Sequence, residues 1–312
     1  MQPLRYSLVL VVGITFVVFV MGASVLVVTS IYQLSLVDQL LIEAVVALMS
    51  GLAVGWLTVG TSPMIREILA TFRLLTRLES LSHPLLLRLS LEAPGTYHHS
   101  LQVGTLANVA ARSIHADTLL ARLGGYYHDI GKLTKPEHFI ENQPSGINPL
   151  NALTPRQAAR AIVAHIDDGL ALARQYQLPA ALVALIAQHT GTTTVRYFLE
   201  RARAKGKRGV NPDDYRYPGP KPQSREAGIV MLADAIEAKA RLLPTVDRAS
   251  LDRLVDETIR EKQAEQQLDL AGFRPADLST LRLSFTQALA TMRHQRIAYP
   301  KPTDQSNVAG RP

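Results

Sequence analysis

The chain has 312 residues, and its composition of 47% hydrophobic but only 6% aromatic residues points to a helical, Leu- and Ala-rich protein rather than a disordered one. It contains no cysteine, which excludes disulfides and thiolate-held zinc or iron–sulfur clusters, so any metal must be held by His and carboxylates. The net charge of +7 raises nucleic acid as a partner, but an Arg cluster beside an apolar segment and the run RARAKGKR account for much of the excess; we read that run as a solvated loop or an anionic-lipid contact and expect no nucleic-acid polymer.

From Tyr6 to Val37 no residue is charged, and this run exceeds the roughly 20 apolar residues that cross a bilayer as a helix. It is also too long for the apolar core of a signal peptide. A second uncharged run, Ala44 to Ile65, predicts a second span; its Gly51 and Gly55 form a GxxxG that chance also supplies in a Gly-bearing span. Asp38 and Glu43 flank the short connection, whereas Arg5 precedes the first span and Arg66, Arg73, Arg77 and Arg88 follow the second. Basic flanks remain on the cytoplasmic side, so both chain ends are expected in the cytoplasm of a multi-pass protein of the inner (cell) membrane.

Beyond the membrane the pattern stays helical, which makes the expected fold all-α. Leu and Ile recur at helical spacing from Pro63 to Ser90, broken by Pro84, and further helices are predicted over 98–115, 118–130, 155–175, 179–189, 224–243, 248–262 and 275–296. Thr154-Pro155 reads as an N-cap followed by Pro in the first turn, and NPDDYRYPGPKPQS (211–224) must be a loop. The expected organisation is two transmembrane helices over 1–62, a linker helix over 63–94, a helical domain over 95–300 and a disordered tail over 301–312.

The histidines of the helical domain raise the functional question. His99 lies just inside a helix start, His128-Asp129 in GGYYHDIGK at a helix end, His165 after ARAIVA and His189 after PAALVALIAQ. Taken singly, each is an ordinary core histidine. Asp234 follows AGIVML on what should be a buried face, where a lone carboxylate demands a partner or a cation. Four imidazoles and two carboxylates make a plausible ligand set for two divalent ions, with Asp129 able to bridge through its two oxygens.

The segments APGTYHHS, GGYYHDIGK, FIENQ, AHIDDG, YRYPGPKP and MLADAIEA occur in the order found in the cytoplasmic domain of the seven-transmembrane HD family of cyclic-di-AMP phosphodiesterases, which the chain resembles over roughly residues 63 to 300. The resemblance implies an HD-domain helical bundle in which His99, His128, Asp129 and Asp234 hold one metal and His165 and His189 the second, with Asp129 shared. It implies iron or manganese as the two divalent ions, a cyclic dinucleotide as substrate and linear pApA as product. Asp129 and Lys132 are then the catalytic candidates. Lys132, four residues after His128, would bind a phosphate oxygen if the helix continues that far; a Lys favoured by the helix dipole is the plain alternative. Glu237, one turn beyond Asp234, is either a second acceptor for a ligand N–H or a surface ion-pair member. Arg216, Tyr217 and Lys221 of the Pro-rich loop are expected along the substrate groove, and His98 receives no role. The expected partners are the cyclic dinucleotide, the membrane and a second copy of the chain in a homodimer.

Two departures from the family qualify these expectations. QHTGT stands where the family has QHHGT, placing Thr190 at a histidine position, and the chain carries two predicted spans where relatives have seven and a large extracellular sensor domain. The competing functions are an HD hydrolase of cyclic-di-GMP, guanosine tetraphosphate or a deoxynucleotide, and a catalytically dead nucleotide sensor. The GYP tripeptide typical of the cyclic-di-GMP branch is absent after HDIGK.

Overall fold

A computed structural model describes residues 22–23, 32, 35–143, 148–205, 209–243 and 247–294, without the side chains of 57–75 and 293–294. Most of the predicted first span, residues 206–208 of the basic run and the tail from Lys301 on lie outside the described residues. Two compact units emerge, Met1–Arg77 and Leu78–Pro312. In the first, helix α1 starts at Leu36 and runs to Glu79, and its stretch Leu36–Trp56, with a mean hydropathy of 1.8, is long and apolar enough to cross a membrane by length and composition. The helix begins earlier than the predicted second span, so Asp38 and Glu43 lie within its first turns rather than beside a connection.

The second unit is all-helical apart from a single bridge between Thr194 and Arg216 among the described residues. Its helices are α2 (Pro84–Glu92), α3 (Pro94–Ser113), α4 (Thr118–Tyr127), α5 (Pro155–Val163), α6 (His165–Gln175), α7 (Ala180–Gln188), α8 (Arg196–Ala204), α9 (Arg225–Ala240), α10 (Arg248–Ala264) and α11 (Pro275–His294). Their starts follow local chemistry. Asp117 accepts from Leu119 and Leu120 N–H, Ser224 from Ala227 and Asp247 from Ser250, and Thr154 and Gln157 form a reciprocal capping box behind Pro155. Each such cap is worth about 1 kcal/mol.

Three predicted boundaries shift. Pro84 opens α2 instead of interrupting a longer helix, with His83 accepting from Leu85 N–H. The predicted helix 155–175 is two helices meeting at Ala164, and the predicted helix 118–130 ends at Tyr127, after which the chain tightens into a 3-10 turn over Ile130–Thr134. The first half of the basic run, expected as a loop, is the end of α8, where Arg203 pairs with Glu200 and Arg201 donates to Asn151.

The main core joins α3, α9, α10 and α11 through Val103, Leu106, Ile229, Leu232, Leu251, Val255, Leu281 and Phe285. A smaller one joins α5 and α8 through Ala158, Phe198, Leu199 and Tyr215. Truncating a buried Leu such as Leu106 to Ala costs about 2–5 kcal/mol, so these clusters hold the site's helices in register.

Candidate metal centre

The site is assembled mainly from helix ends. His128 occupies the C-cap of α4, His189 the C-cap of α7, and His165 the first position of α6 where it leaves α5. Helix ends leave backbone carbonyls without an intrahelical donor. Each of these imidazoles folds back on such a carbonyl three residues earlier: Nδ1 lies 2.8 Å from Gly125 O in His128, 2.7 Å from Ile162 O in His165 and 2.8 Å from Ile186 O in His189. A carbonyl only accepts, so each Nδ1 carries the proton and each Nε2 presents a lone pair. His99, inside α3, is oriented instead by Glu237 on α9, whose carboxylate accepts from Nδ1 and also from Arg241 at 3.0 Å.

All four Nε2 atoms converge on Asp129. Its Oδ2 lies 3.1 Å from His128 Nε2 and 3.7 Å from His99 Nε2, and its Oδ1 lies 3.5 Å from His165 Nε2 and 3.6 Å from His189 Nε2. Asp234, from α9, adds Oδ1 at 3.0 Å from His99 Nε2 and 3.8 Å from His128 Nε2. One carboxylate thus sits between two histidine pairs, with the second carboxylate on the His99 side. The histidines and Asp129 are buried, whereas the Asp234 side chain is 27% exposed and marks the open face.

This donor set fits divalent cations. His128 Nε2 is buried without a hydrogen-bond partner, and the Nε2 atoms of His165 and His189 face each other at 3.4 Å, an arrangement of lone pairs that a shared cation resolves. Burial pushes the His165 pKa down to about 4, which keeps its imidazole neutral and ready to ligate. Burial alone would raise both carboxylates, but the Lys132 ammonium holds Asp129, and His99, whose own pKa Asp234 and Glu237 push up to about 9 against burial, holds Asp234, well below the usual carboxylate range. A purely N and O donor set of this kind suits hard or borderline ions.

Lys132 reaches the centre by a different route from the one expected. The α-helix does not continue to it; the 3-10 turn does, bringing Nζ to 2.8 Å from Asp129 Oδ2 and 2.8 Å from Glu141 Oε1. The turn packs so closely that a Cβ on Gly131 would meet His165 O at 1.8 Å, which only Gly allows. Of the three loop candidates, Tyr217 packs edge-on to His165 with centroids 5.9 Å apart. Arg216 is engaged by Asp213 and Thr192 O instead, and no bond joins Lys221 to the cluster. Thr190 follows His189 in a turn and makes no bond to the ligands.

Sequence reasoning passed over Gln267. It is 1% exposed, and its Oε1 accepts from Thr192 N–H at 2.9 Å, fixing the turn that follows His189. Only a glutamine after a helix end marks it in the sequence, and such residues are usually solvated.

Comparison with known proteins places this geometry in a family. The HD domain profile matches residues 96–239. A cyclic-di-AMP phosphodiesterase PgpH of Bacillus subtilis is 38% identical over 257 residues, which are 81% of this chain and 36% of that protein. The chain therefore spans about a third of the length of such curated relatives. The crystal structure of the HD domain of Listeria monocytogenes PgpH superposes with a TM-score of 0.65 at 36% identity, covering 68% of this chain and 100% of that one. The same domain solved in complex with cyclic-di-AMP superposes with a TM-score of 0.66 at 36% identity, covering 68% of this chain and 99% of that one. With a solved HD domain matched along its whole length, and His128-Asp129 within the segment that the HD profile matches, this chain belongs to the HD-domain family and is homologous to the PgpH phosphodiesterases.

Proposed function

We propose that the chain is a membrane-anchored phosphodiesterase that hydrolyses cyclic-di-AMP to linear pApA with two divalent ions, iron or manganese. The observation that carries this reading is Asp129 placed between two histidine pairs with one oxygen turned to each. His99, His128, Asp129 and Asp234 would hold one ion, and His165, His189 and Asp129 the other. When bound, such a pair of ions supplies an activated water and neutralises the phosphodiester oxygens for in-line displacement.

The chain's own groups do the rest. Glu237 and the three backbone carbonyls orient the imidazoles. Lys132 keeps Asp129 ionised and stands where a phosphoryl oxygen of the substrate would arrive. Tyr217 walls the His165 side, and the partly exposed Asp234 marks the entry. In the reaction a water oxygen bonds to phosphorus, the P–O3′ bond breaks and the freed 3′-oxygen takes a proton, leaving the 5′-phosphate of pApA. The relatives named for cyclic-di-AMP, and the neighbour solved with it, favour this substrate over another HD substrate such as cyclic-di-GMP, guanosine tetraphosphate or a deoxynucleotide.

The deciding experiment measures metal content and turnover of the full chain on a panel of cyclic dinucleotides and the nucleotides just named. Two ions per chain with preferential cleavage of cyclic-di-AMP is the expected result. Preference for another nucleotide overturns the substrate, and bound nucleotide without turnover makes the protein a sensor. The Arg excess after the apolar helix supports a cytoplasmic domain. Protease added to sealed inside-out vesicles should cut near Lys205 and after Lys301; protection of both sites would overturn the topology.

A further inference from the structure

Beyond the family-matched segment, the last turn of α10 carries a cation that its surroundings do not neutralise. Lys239 of α9 reaches Glu261 Oε2 at 2.6 Å and Thr258 Oγ1 at 3.3 Å on α10. Asp234 precedes Lys239 by five residues, about 7.5 Å along α9, and Lys262 follows Glu261, the partner of Lys239, in the last turn of α10. A second tie fixes the same turn against the site: Gln267 donates its backbone N–H to Lys262 O at 2.9 Å and accepts from Thr192 N–H, three residues beyond His189.

The charges here do not cancel. Glu261 is paired with Lys239 at 2.6 Å and Arg196 at 2.9 Å, and Glu265 with Arg196 at 2.7 Å. Lys262 is the third cation beside two carboxylates already served. Its side chain is only 13% exposed, and its single ion pair is a loose one, 4.0 Å to Glu265 Oε2, an oxygen that is itself buried without a hydrogen bond. A largely buried ammonium without a close partner calls for an anion. Burial pushes the Lys262 pKa down, while Glu265, Glu261 and Asp234 pull it up. Lys132, by contrast, is already held between Asp129 and Glu141.

We propose that Lys262 forms an anion subsite at the rim of the metal centre, taking the phosphodiester of a cyclic dinucleotide that is not being cleaved. The proposal rests on the phosphodiesterase reading above. A cyclic dinucleotide carries two phosphodiesters, and the ions and Lys132 account for one. A subsite of this kind favours substrates with a second phosphate over simple diesters, and it does so through binding.

The test compares Lys262→Met, Lys262→Arg and the unaltered full chain on two substrates, cyclic-di-AMP and bis(p-nitrophenyl) phosphate, the second having one phosphodiester only. Lys262→Met should lose at least about tenfold more kcat/KM on cyclic-di-AMP than on the simple diester, mostly through KM. Lys262→Arg, which keeps the charge, should recover most of that loss, and both variants should keep the metal content of the unaltered chain. Equal losses on both substrates, no loss on either, or a Lys262→Arg variant as impaired as Lys262→Met would overturn the subsite. If the unaltered chain cleaves the simple diester but no cyclic dinucleotide, the phosphodiesterase reading itself fails, an outcome separate from an active enzyme indifferent to Lys262.

Discussion

On the His99 side of Asp129, carboxylates both orient and charge the site: Glu237 fixes the His99 ring, Asp234 faces His99 at 3.0 Å, and Asp129 Oδ2 lies close to His128. On the His165 side the orienting groups are two neutral backbone carbonyls, and the only negative charge is the other oxygen of Asp129. The difference teaches how one short motif can face two chemically unequal half-sites. On the proposed reading, an ion on the first side would meet two carboxylates and one on the second two imidazoles and a shared oxygen, so the second would be the more readily lost.

Asp129→Ala tests whether both sides depend on the shared carboxylate. It should drop metal content below one per chain and turnover by at least about three orders of magnitude, ~4 kcal/mol of transition-state stabilisation, while the helical circular dichroism spectrum persists. Retention of two metals with more than about a tenth of the activity would show that HDIGK is not the centre of the site. His165→Ala separates the halves: the ion of the His165 side should be lost and the other retained, read as metal content falling from two to one per chain with a large loss of turnover. Loss of both ions would mean the halves are not independent.

Glu237→Gln sharpens the contrast in how histidines are oriented. It removes the charged acceptor of His99 Nδ1, so metal affinity on the His99 side should fall about 10–100-fold, the usual effect of a group behind a ligand, with the His165 side unaffected. Competition with a chelator monitors both. The smallest effect is expected at Thr190. Thr190→His should change the rate by about tenfold or less, ~1.4 kcal/mol, and leave two metals per chain. Acquisition of a third metal, or activity rising from nothing, would show that the residue belongs to the ligand set.

Much of this was legible in the sequence because the site uses local signals. His128, His165 and His189 follow apolar helical runs, and the packing of those buried runs brings their ends together. The break at Ala164 was hidden because ARAIVAHIDDG keeps helical spacing on both sides, with neither Gly nor Pro at the junction. Helix α8 was missed because most of its surface is charged, and its apolar Phe198, Leu199 and Ala202 are too few for a clear period. Lys132 was named for the right neighbourhood through the wrong geometry, an α-helical turn instead of a 3-10 turn. Arg216 and Lys221 were chosen by charge and by their place in the Pro-rich loop, and Arg216 spends its donors on Asp213 and Thr192. Gln267 lies far along the chain, outside any motif, and only tertiary packing brings it to the turn that follows His189.

The way three of the four imidazoles are oriented bears on what substitution can reach. A main-chain carbonyl belongs to every residue type, so no side-chain replacement at Gly125, Ile162 or Ile186 deletes the acceptor that sets the tautomer of His128, His165 or His189. His99 lacks that protection, since its acceptor is the Glu237 side chain and a single codon change can remove it. Drift or selection that tunes the strength of this centre, short of replacing a ligand, therefore has its most direct handle at Glu237 and at Arg241 behind it.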